Sequence, residues 1–260
     1  MAVIPPAWTL ISLRPQGQHG ALRQAARKVG ANLLAASVVR LQPQQAPQAL
    51  SAALACPVRI ATSPAAVRFA RQQGRIEGQW WAVGAATARA LRTAGASVVH
   101  CPLLENAEGL LQLPELQAVH GMHIGLITAP DGRGLLQQTL QTRGAQVINA
   151  YVYQRQALLL RAAVRARILA LSPAISALAV TSQSALDGFL AQFTDAETAH
   201  LQAMLCIASS ERLLHYVQSS GFRRCVQADS TRARSITDAL SAAMATTTPH
   251  GAGYEHSRNP

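Results

Sequence analysis

Residues 11–40 read ISLRPQGQHGALRQAARKVGANLLAASVVR, and residues 126–155 read LITAPDGRGLLQQTLQTRGAQVINAYVYQR. Both run through a short apolar strand, a Pro-x-Gly turn, a helix opening at a glycine, a Gly-Ala cap, a second strand and an arginine. Self-similarity in fixed order signals a duplicated supersecondary unit. Two more pairs surround it. RIATSPAAVRFARQQ from Arg59 returns as ALAVTSQSALDGFLAQF from Ala177, with Thr62-Ser63 matching Thr181-Ser182. AVGAATARALRTAGASVV from Ala82 returns more loosely as CIASSERLLHYVQSSGFRRCV from Cys206. The chain therefore reads a, bcd, a′, b′c′d′: two similar α/β lobes with a cleft between them. The hydrophobic pattern is satisfied whether unit a packs with its own neighbours or crosses to the other lobe.

Short apolar runs alternating with longer amphipathic segments are the pattern of βα units and parallel sheets. Strands are expected at 9–13, 34–39, 58–62, 80–83, 97–100, 123–127, 146–153, 177–181, 204–207 and 224–227. Gly30, Gly74, Gly95, Gly144 and Gly221 stand where left-handed helix caps are wanted. Segments 38–48 and 150–160 are the candidate linkers, and the Gly/Pro-bearing polar end reads as a disordered tail over 246–260. Within the expected strand 146–153, alternation puts Tyr151 and Tyr153 on one face.

The composition narrows the chemistry. The length of 260 residues suits two compact units, and 49% apolar with 13% charged residues argues for folded domains. No apolar run reaches bilayer length, and Pro5 and Pro6 interrupt an N-terminus without basic residues, so a cytoplasmic protein with no membrane association is expected. Cys56, Cys101, Cys206 and Cys225 lie far apart, and the eight histidines lack ligand spacing, so no metal site is expected. The net charge of +11 is carried by 22 Arg and the single Lys28. Arginine forks imply an anionic partner, carboxylate or phosphate. Aromatics at 4% leave single-stranded nucleic acid without a stacking platform. VGAATA lacks a spaced-glycine fingerprint and Lys28 sits within a helix pattern, which disfavours nucleotide chemistry.

Hydroxyl-rich turns follow several expected strands: Thr62-Ser63, Gly84 before Thr87, Gly132 and Gly134 around Arg133, Thr181-Ser182, and Ser209-Ser210. At the carboxyl ends of parallel strands, unpaired helix N–H groups favour anions. Any one such turn is more often a simple cap. Five in a basic two-lobed chain point to a polyanion. Acidic candidates are few, with Glu105, Glu108 and Asp131 in loops.

The ordered series SLRP at Ser12, TSPAAV at Thr62, AVGAATARAL at Ala82, AEGLL at Ala107, PDGRGLL at Pro130, VYQR at Val152, TSQSAL at Thr181 and SSERL at Ser209 resembles the uroporphyrinogen-III synthases over most of the chain, to about residue 243. The resemblance implies two flavodoxin-like parallel-sheet domains joined by a two-stranded linker: residues 1–38 with 156–245 as one, 39–155 as the other. It implies a cofactor-free lyase of heme biosynthesis that closes hydroxymethylbilane to uroporphyrinogen III, losing water and inverting ring D through a spirocyclic intermediate. The substrate's carboxylates would then meet Arg14, Ser63, Gly84, Thr87, Gly132, Arg133, Ser182, Ser209 and Ser210, while Tyr153 in VYQR would help the hydroxyl leave. ASSER departs from the G-x-T turn common in the last repeat, and LRP replaces the commoner TRP at Leu13. A monomer is expected, with the bilane and the enzyme that makes it as candidate partners. A different class of function, an anion-binding or sensor module without catalysis, uses the same cleft.

Overall fold

The computed structural model describes residues 8–130 and 134–247. In chain order the elements are β1 (Thr9–Ser12), α1 (Gly20–Lys28), β2 (Asn32–Ala35), β3 (Val39–Pro43), α2 (Pro47–Leu54), β4 (Val58–Ala61), α3 (Pro64–Arg71), β5 (Gln79–Ala82), α4 (Ala85–Ala94), β6 (Val98–His100) and α5 (Ala107–Leu111). There follow β7 (His123–Thr128), α6 (Leu135–Thr142), β8 (Gln146–Tyr151), β9 (Tyr153–Ala157), α7 (Ala162–Leu169), β10 (Ser176–Val180), α8 (Gln183–Leu190), α9 (Asp195–Gln202), β11 (Leu205–Ala208), α10 (Glu211–Ser219), β12 (Arg224–Gln227) and α11 (Ala233–Thr247). Because α11 runs to Thr247, residues 246 and 247 are helical; the rest of the expected tail lies outside the described residues.

Two compact units form: unit 1 from 1–40 with 157–260, unit 2 from 41–156. One five-stranded sheet has the order β12-β11-β10-β1-β2 and the other β6-β5-β4-β7-β8. Every pair within them is parallel. The orders coincide repeat for repeat, with β1 standing where β7 stands and β10 where β4 does. Strand β1 pairs with β10, Leu10 opposite Ala177, so the opening unit a packs with b′c′d′.

Each sheet is covered on both faces, as parallel sheets require. In unit 1, Leu10 and Ile11 are both fully buried yet point to opposite cores. Leu10 joins Leu22 of α1 with Ile236 and Leu240 of α11, whereas Ile11 joins Leu186 and Phe189 of α8 with Leu213 and Val217 of α10. In unit 2, Ile127 packs with Leu50, Val67 and Leu91 of α2, α3 and α4, and Leu126 with Leu110, Leu136 and Leu140 of α5 and α6. Full burial of a Leu or Ile side chain is worth about 1.5–3 kcal/mol, so these alternating strand residues anchor the layers.

Two expected strands are in fact interrupted. The expected 34–39 splits into β2 and β3 around Val38, and 146–153 into β8 and β9 around Val152; β3 and β9 leave their sheets to form a two-stranded ribbon. Val38 is 2% exposed and Val152 0%, so each break is packed. The reading of Tyr151 and Tyr153 as same-face partners of one strand is thereby corrected, since they belong to different sheets. Gly30, Gly95, Gly144 and Gly221 adopt the left-handed caps, but Gly74 does not. Gly74 is short of space instead: a Cβ there would lie 2.9 Å from Leu54 Cδ1.

Candidate functional site

In unit 2 the polar turns gather after β4 and β7. Ser63 caps α3, its Oγ accepting from the backbone N–H of Ala66 at 3.1 Å. The same Oγ lies 3.2 Å from the hydroxyl of Tyr153. Thus two residues distant in sequence and singled out separately for substrate contact and catalysis are brought together. Tyr153 is 2% exposed, its ring stacked on Phe69 with centroids 5.5 Å apart. Beside them, Thr62 Oγ1 donates to Thr128 Oγ1 at 2.9 Å, tying the end of β4 to the end of β7.

Gly84 is the N-cap of α4 and has no side chain to offer the helix. Its place is taken by Glu105, whose Oε2 accepts from the Ala85 N–H at 2.9 Å. A helix N-terminus carries partial positive charge, and here a carboxylate of the chain itself sits on it. Thr87, by contrast, is 3% exposed within the first turn of α4 and faces the interior rather than a solvent-open turn. Gly132 and Arg133 lie outside the described residues.

In unit 1, Arg14 follows β1 and is partly buried, and burial lowers its pKa from the ordinary arginine value. Its Nη2 donates to the Thr231 carbonyl, and its buried Nε has no acceptor among the described residues. The backbone carbonyl of Arg14 accepts from Ser37 Oγ at 2.8 Å. His19, 6% exposed, lies between Ser37 Oγ at 2.7 Å and Ser12 Oγ at 3.0 Å. Its pKa is lowered by burial first, then by Arg23 and Arg14. Ser182 and Ser210 occupy the N-cap positions of α8 and α10; Ser210 Oγ accepts from Leu213 N–H at 3.4 Å, whereas Ser182 Oγ meets Ser184 Oγ at 3.0 Å. Ser209 is 6% exposed, one residue before the cap.

Arg14, Ser63, Tyr153 and the Thr62-Ser63 turn stand out in the sequence; the pairing of Thr62 with Thr128, the roles of Ser37 and His19, and the partner of Glu105 do not. Ser12 and Thr128 are the last residues of β1 and β7, and both carry hydroxyls. Among the described residues no group of three or more His, Cys, Asp or Glu is placed to hold a metal ion, and no helix is long and apolar enough to cross a membrane.

Parallel sheets with helices on both faces, and polar turns at the strand carboxyl ends, place this chain in the doubly wound α/β class, whose members bind ligands at those ends. The chain belongs to the uroporphyrinogen-III synthase family, whose model, described as uroporphyrinogen-III synthase HemD, matches residues 20–238. It is 40% identical over 104 residues to the uroporphyrinogen-III synthase of Salmonella typhimurium, covering 37% of this chain and 42% of that one. With the Escherichia coli protein of the same name it is 37% identical over 107 residues, 38% of this chain and 44% of that one. The matched stretches thus span less than half of those relatives' lengths. In fold, it resembles the Helicobacter pylori uroporphyrinogen-III synthetase, with a TM-score of 0.61 and 15% identity over 91% of this chain and 99% of that one. A mutant uroporphyrinogen III synthase from Thermus thermophilus gives a TM-score of 0.58 and 18% identity over 92% of this chain and 100% of that one.

Proposed function

We propose that this chain is a uroporphyrinogen-III synthase that cyclises hydroxymethylbilane to uroporphyrinogen III. Family membership supports the reaction, and the observation that carries the site assignment is the 3.2 Å approach of Tyr153 to Ser63 at the N-terminus of α3. In this proposal units 1 and 2 act as two domains joined by the β3–β9 ribbon, their strand-end turns bind the octacarboxylate, and the protein works as a monomer, in the cytoplasm, without cofactor.

The reaction begins when the terminal hydroxyl leaves as water, its proton supplied at the leaving oxygen and its electrons replaced by the pyrrole nitrogen of the same ring. The substituted carbon of ring D attacks the resulting cation to give a spirocyclic pyrrolenine, which fragments and recloses at the unsubstituted carbon with loss of a proton. Net loss is one water. Positioning dominates such a sequence, because the electrons come from the substrate. Ser63 Oγ already accepts from Ala66, so its proton is available to the Tyr153 oxygen, leaving the tyrosine O–H to donate to the departing hydroxyl. With the ring 2% exposed, a rearrangement around Tyr153 precedes this contact. Arg14, Ser63, Ser182 and Ser210, with Gly84, Gly132, Arg133 and Ser209 in the same turns, are proposed to meet carboxylates; the burial of Thr87 suits it to supporting the α4 turn instead.

The test is incubation of the purified chain with hydroxymethylbilane and chromatographic separation of the isomers. Isomer III is the expected product. Spontaneous isomer I alone would reduce the chain to an anion-binding module.

A further inference from the structure

We propose that His19 is a positioning residue, a neutral imidazole that holds the Arg14 turn in place for a substrate carboxylate. The proposal rests on the reading of the chain as a uroporphyrinogen-III synthase. It follows from counting protons along one buried relay. Ser37 Oγ donates to the Arg14 carbonyl at 2.8 Å. A hydroxyl has one proton, so toward His19 Nε2, 2.7 Å away, Ser37 accepts and Nε2 must carry the hydrogen. The other ring nitrogen of a neutral imidazole is then an acceptor, and Ser12 Oγ, 3.0 Å from Nδ1, donates to it. Each hydrogen runs the same way: Ser12 to His19, His19 to Ser37, Ser37 to the Arg14 backbone.

A proton added at Nδ1 would confront the Ser12 donor and reverse that end of the relay. The surroundings oppose it. The ring is buried, and the charged groups acting on it, Arg14 from the turn after β1 and Arg23 from α1, are both cations. Arg14 itself is anchored at two points, its carbonyl on Ser37 and its Nη2 on Thr231, while its Nε faces no acceptor among the described residues. The relay therefore fixes the backbone from which the Arg14 guanidinium projects, and His19 acts on the anion only through Arg14.

The experiment is a double-mutant cycle on the full chain with hydroxymethylbilane, together with 15N-histidine NMR of the wild type. Losing one hydrogen bond of the relay should raise KM about 3- to 10-fold in His19→Ala and leave kcat within about 2-fold. His19→Gln, which can still donate near the Nε2 position but does not titrate, should stay within about 2-fold of wild type. Wild-type KM should climb as pH falls through the lowered His19 value, beneath the ordinary histidine 6.5, whereas that of His19→Gln lacks this rise. In an Arg14→Ala background, His19→Ala should add nothing. NMR at pH 7 should show Nε2 protonated and Nδ1 bare. An unchanged KM in His19→Ala, a full additive cost beside Arg14→Ala, or a proton on Nδ1 overturns the proposal; if His19→Ala does not fold, the glutamine variant and the spectrum decide. Should the wild type yield only isomer I, the functional reading fails by itself. The cycle is then read as uroporphyrin binding: a loss in His19→Ala that vanishes beside Arg14→Ala supports the positioning role, and equal affinity overturns it.

Discussion

Where β1 ends in unit 1, Ser12 turns to a buried imidazole; where β7 ends in unit 2, Thr128 accepts from Thr62 on the neighbouring strand. One step on, the interrupting valines Val38 and Val152 stand in matching places, but the ribbon strand that follows opens with Val39 in one case and Tyr153 in the other. The duplicated scaffold has kept its apolar alternation and its sheet order while its strand-end polar groups have diverged. Packing needs only residues of the right size and pattern, so both copies retain it. Under the proposed function, a protein acting on a bilane with two different ends would have use for two units that do not offer the same groups. The difference between Val39 and Tyr153 is where that asymmetry is sharpest.

The largest expected effect breaks one unit outright. Gly125 lies within β7, and a Cβ there would lie 2.0 Å from the backbone oxygen of Ala53 in α2. Backbone has little room to give, so Gly125→Ala should destabilise the protein by about 2–4 kcal/mol in chemical denaturation. Wild-type stability in that variant would mean that α2 does not seat on β7. Next comes Tyr153→Phe, which keeps the stacking on Phe69 and removes the hydroxyl. Isomer III formation should slow about 100-fold, the low end for loss of a proton donor, with stability changed by about 1 kcal/mol or less. An unaltered rate would remove the functional meaning of the asymmetry at this position.

Although the apolar pattern left open which sheet unit a joins, the alternation of strands and helices was legible because the repeat is carried by strands and caps whose physics is local. The breaks at Val38 and Val152 were not: a buried valine satisfies a continuing strand and a strand end equally, and only partner choice reveals that the chain has moved to the ribbon. That ambiguity also misplaced the two tyrosines. Ser63 was visible as an N-cap before Pro64, but its contact with Tyr153 spans 90 positions and no periodicity encodes it. His19 was hidden for the same reason, its partners lying 7 and 18 positions away. Thr87 was read as a turn residue because a threonine just inside a helix and a threonine at a cap look alike until burial, 3% exposure here, separates them.

Helix N-termini sharpen the comparison further. In unit 1, α9 closes its own end: Thr194 Oγ1 accepts from the Glu197 N–H at 3.4 Å, and Glu197 Oε2 accepts from the Thr194 N–H at 2.8 Å. Thr194→Ala should cost about 1 kcal/mol at neutral pH, read from denaturant midpoints. The backbone hydrogen bond at Thr194 lowers the Glu197 pKa below its ordinary 4.5. A depressed carboxylate contributes stability that is present above that ordinary value and fades as pH falls through the lowered one. The Glu197 contribution should thus persist at pH 5 and disappear in stronger acid. A denaturation series in which Glu197→Gln costs the same at both pH extremes would contradict it.

The smallest expected effect concerns α4, whose end is held from outside its own turn. Glu105 lies 20 positions beyond Ala85 and supplies the carboxylate that Gly84 cannot. A self-capped helix such as α9 has little to offer a ligand, whereas a helix capped by a remote acid can exchange that acid for another carboxylate at small cost. If the α4 turn takes part in binding the bilane, Glu105 competes with the substrate for the same N–H. Glu105→Gln keeps a hydrogen-bond acceptor but removes the charge, weakening the interaction with the helix dipole by about 0.3–1 kcal/mol. The KM for hydroxymethylbilane should then fall about 2-fold, the same order as that weakening, while thermal stability drops slightly. A higher KM with the same loss of stability would show that Glu105 shapes the turn rather than competing with the substrate, and α4 would then join α9 among the closed helix ends.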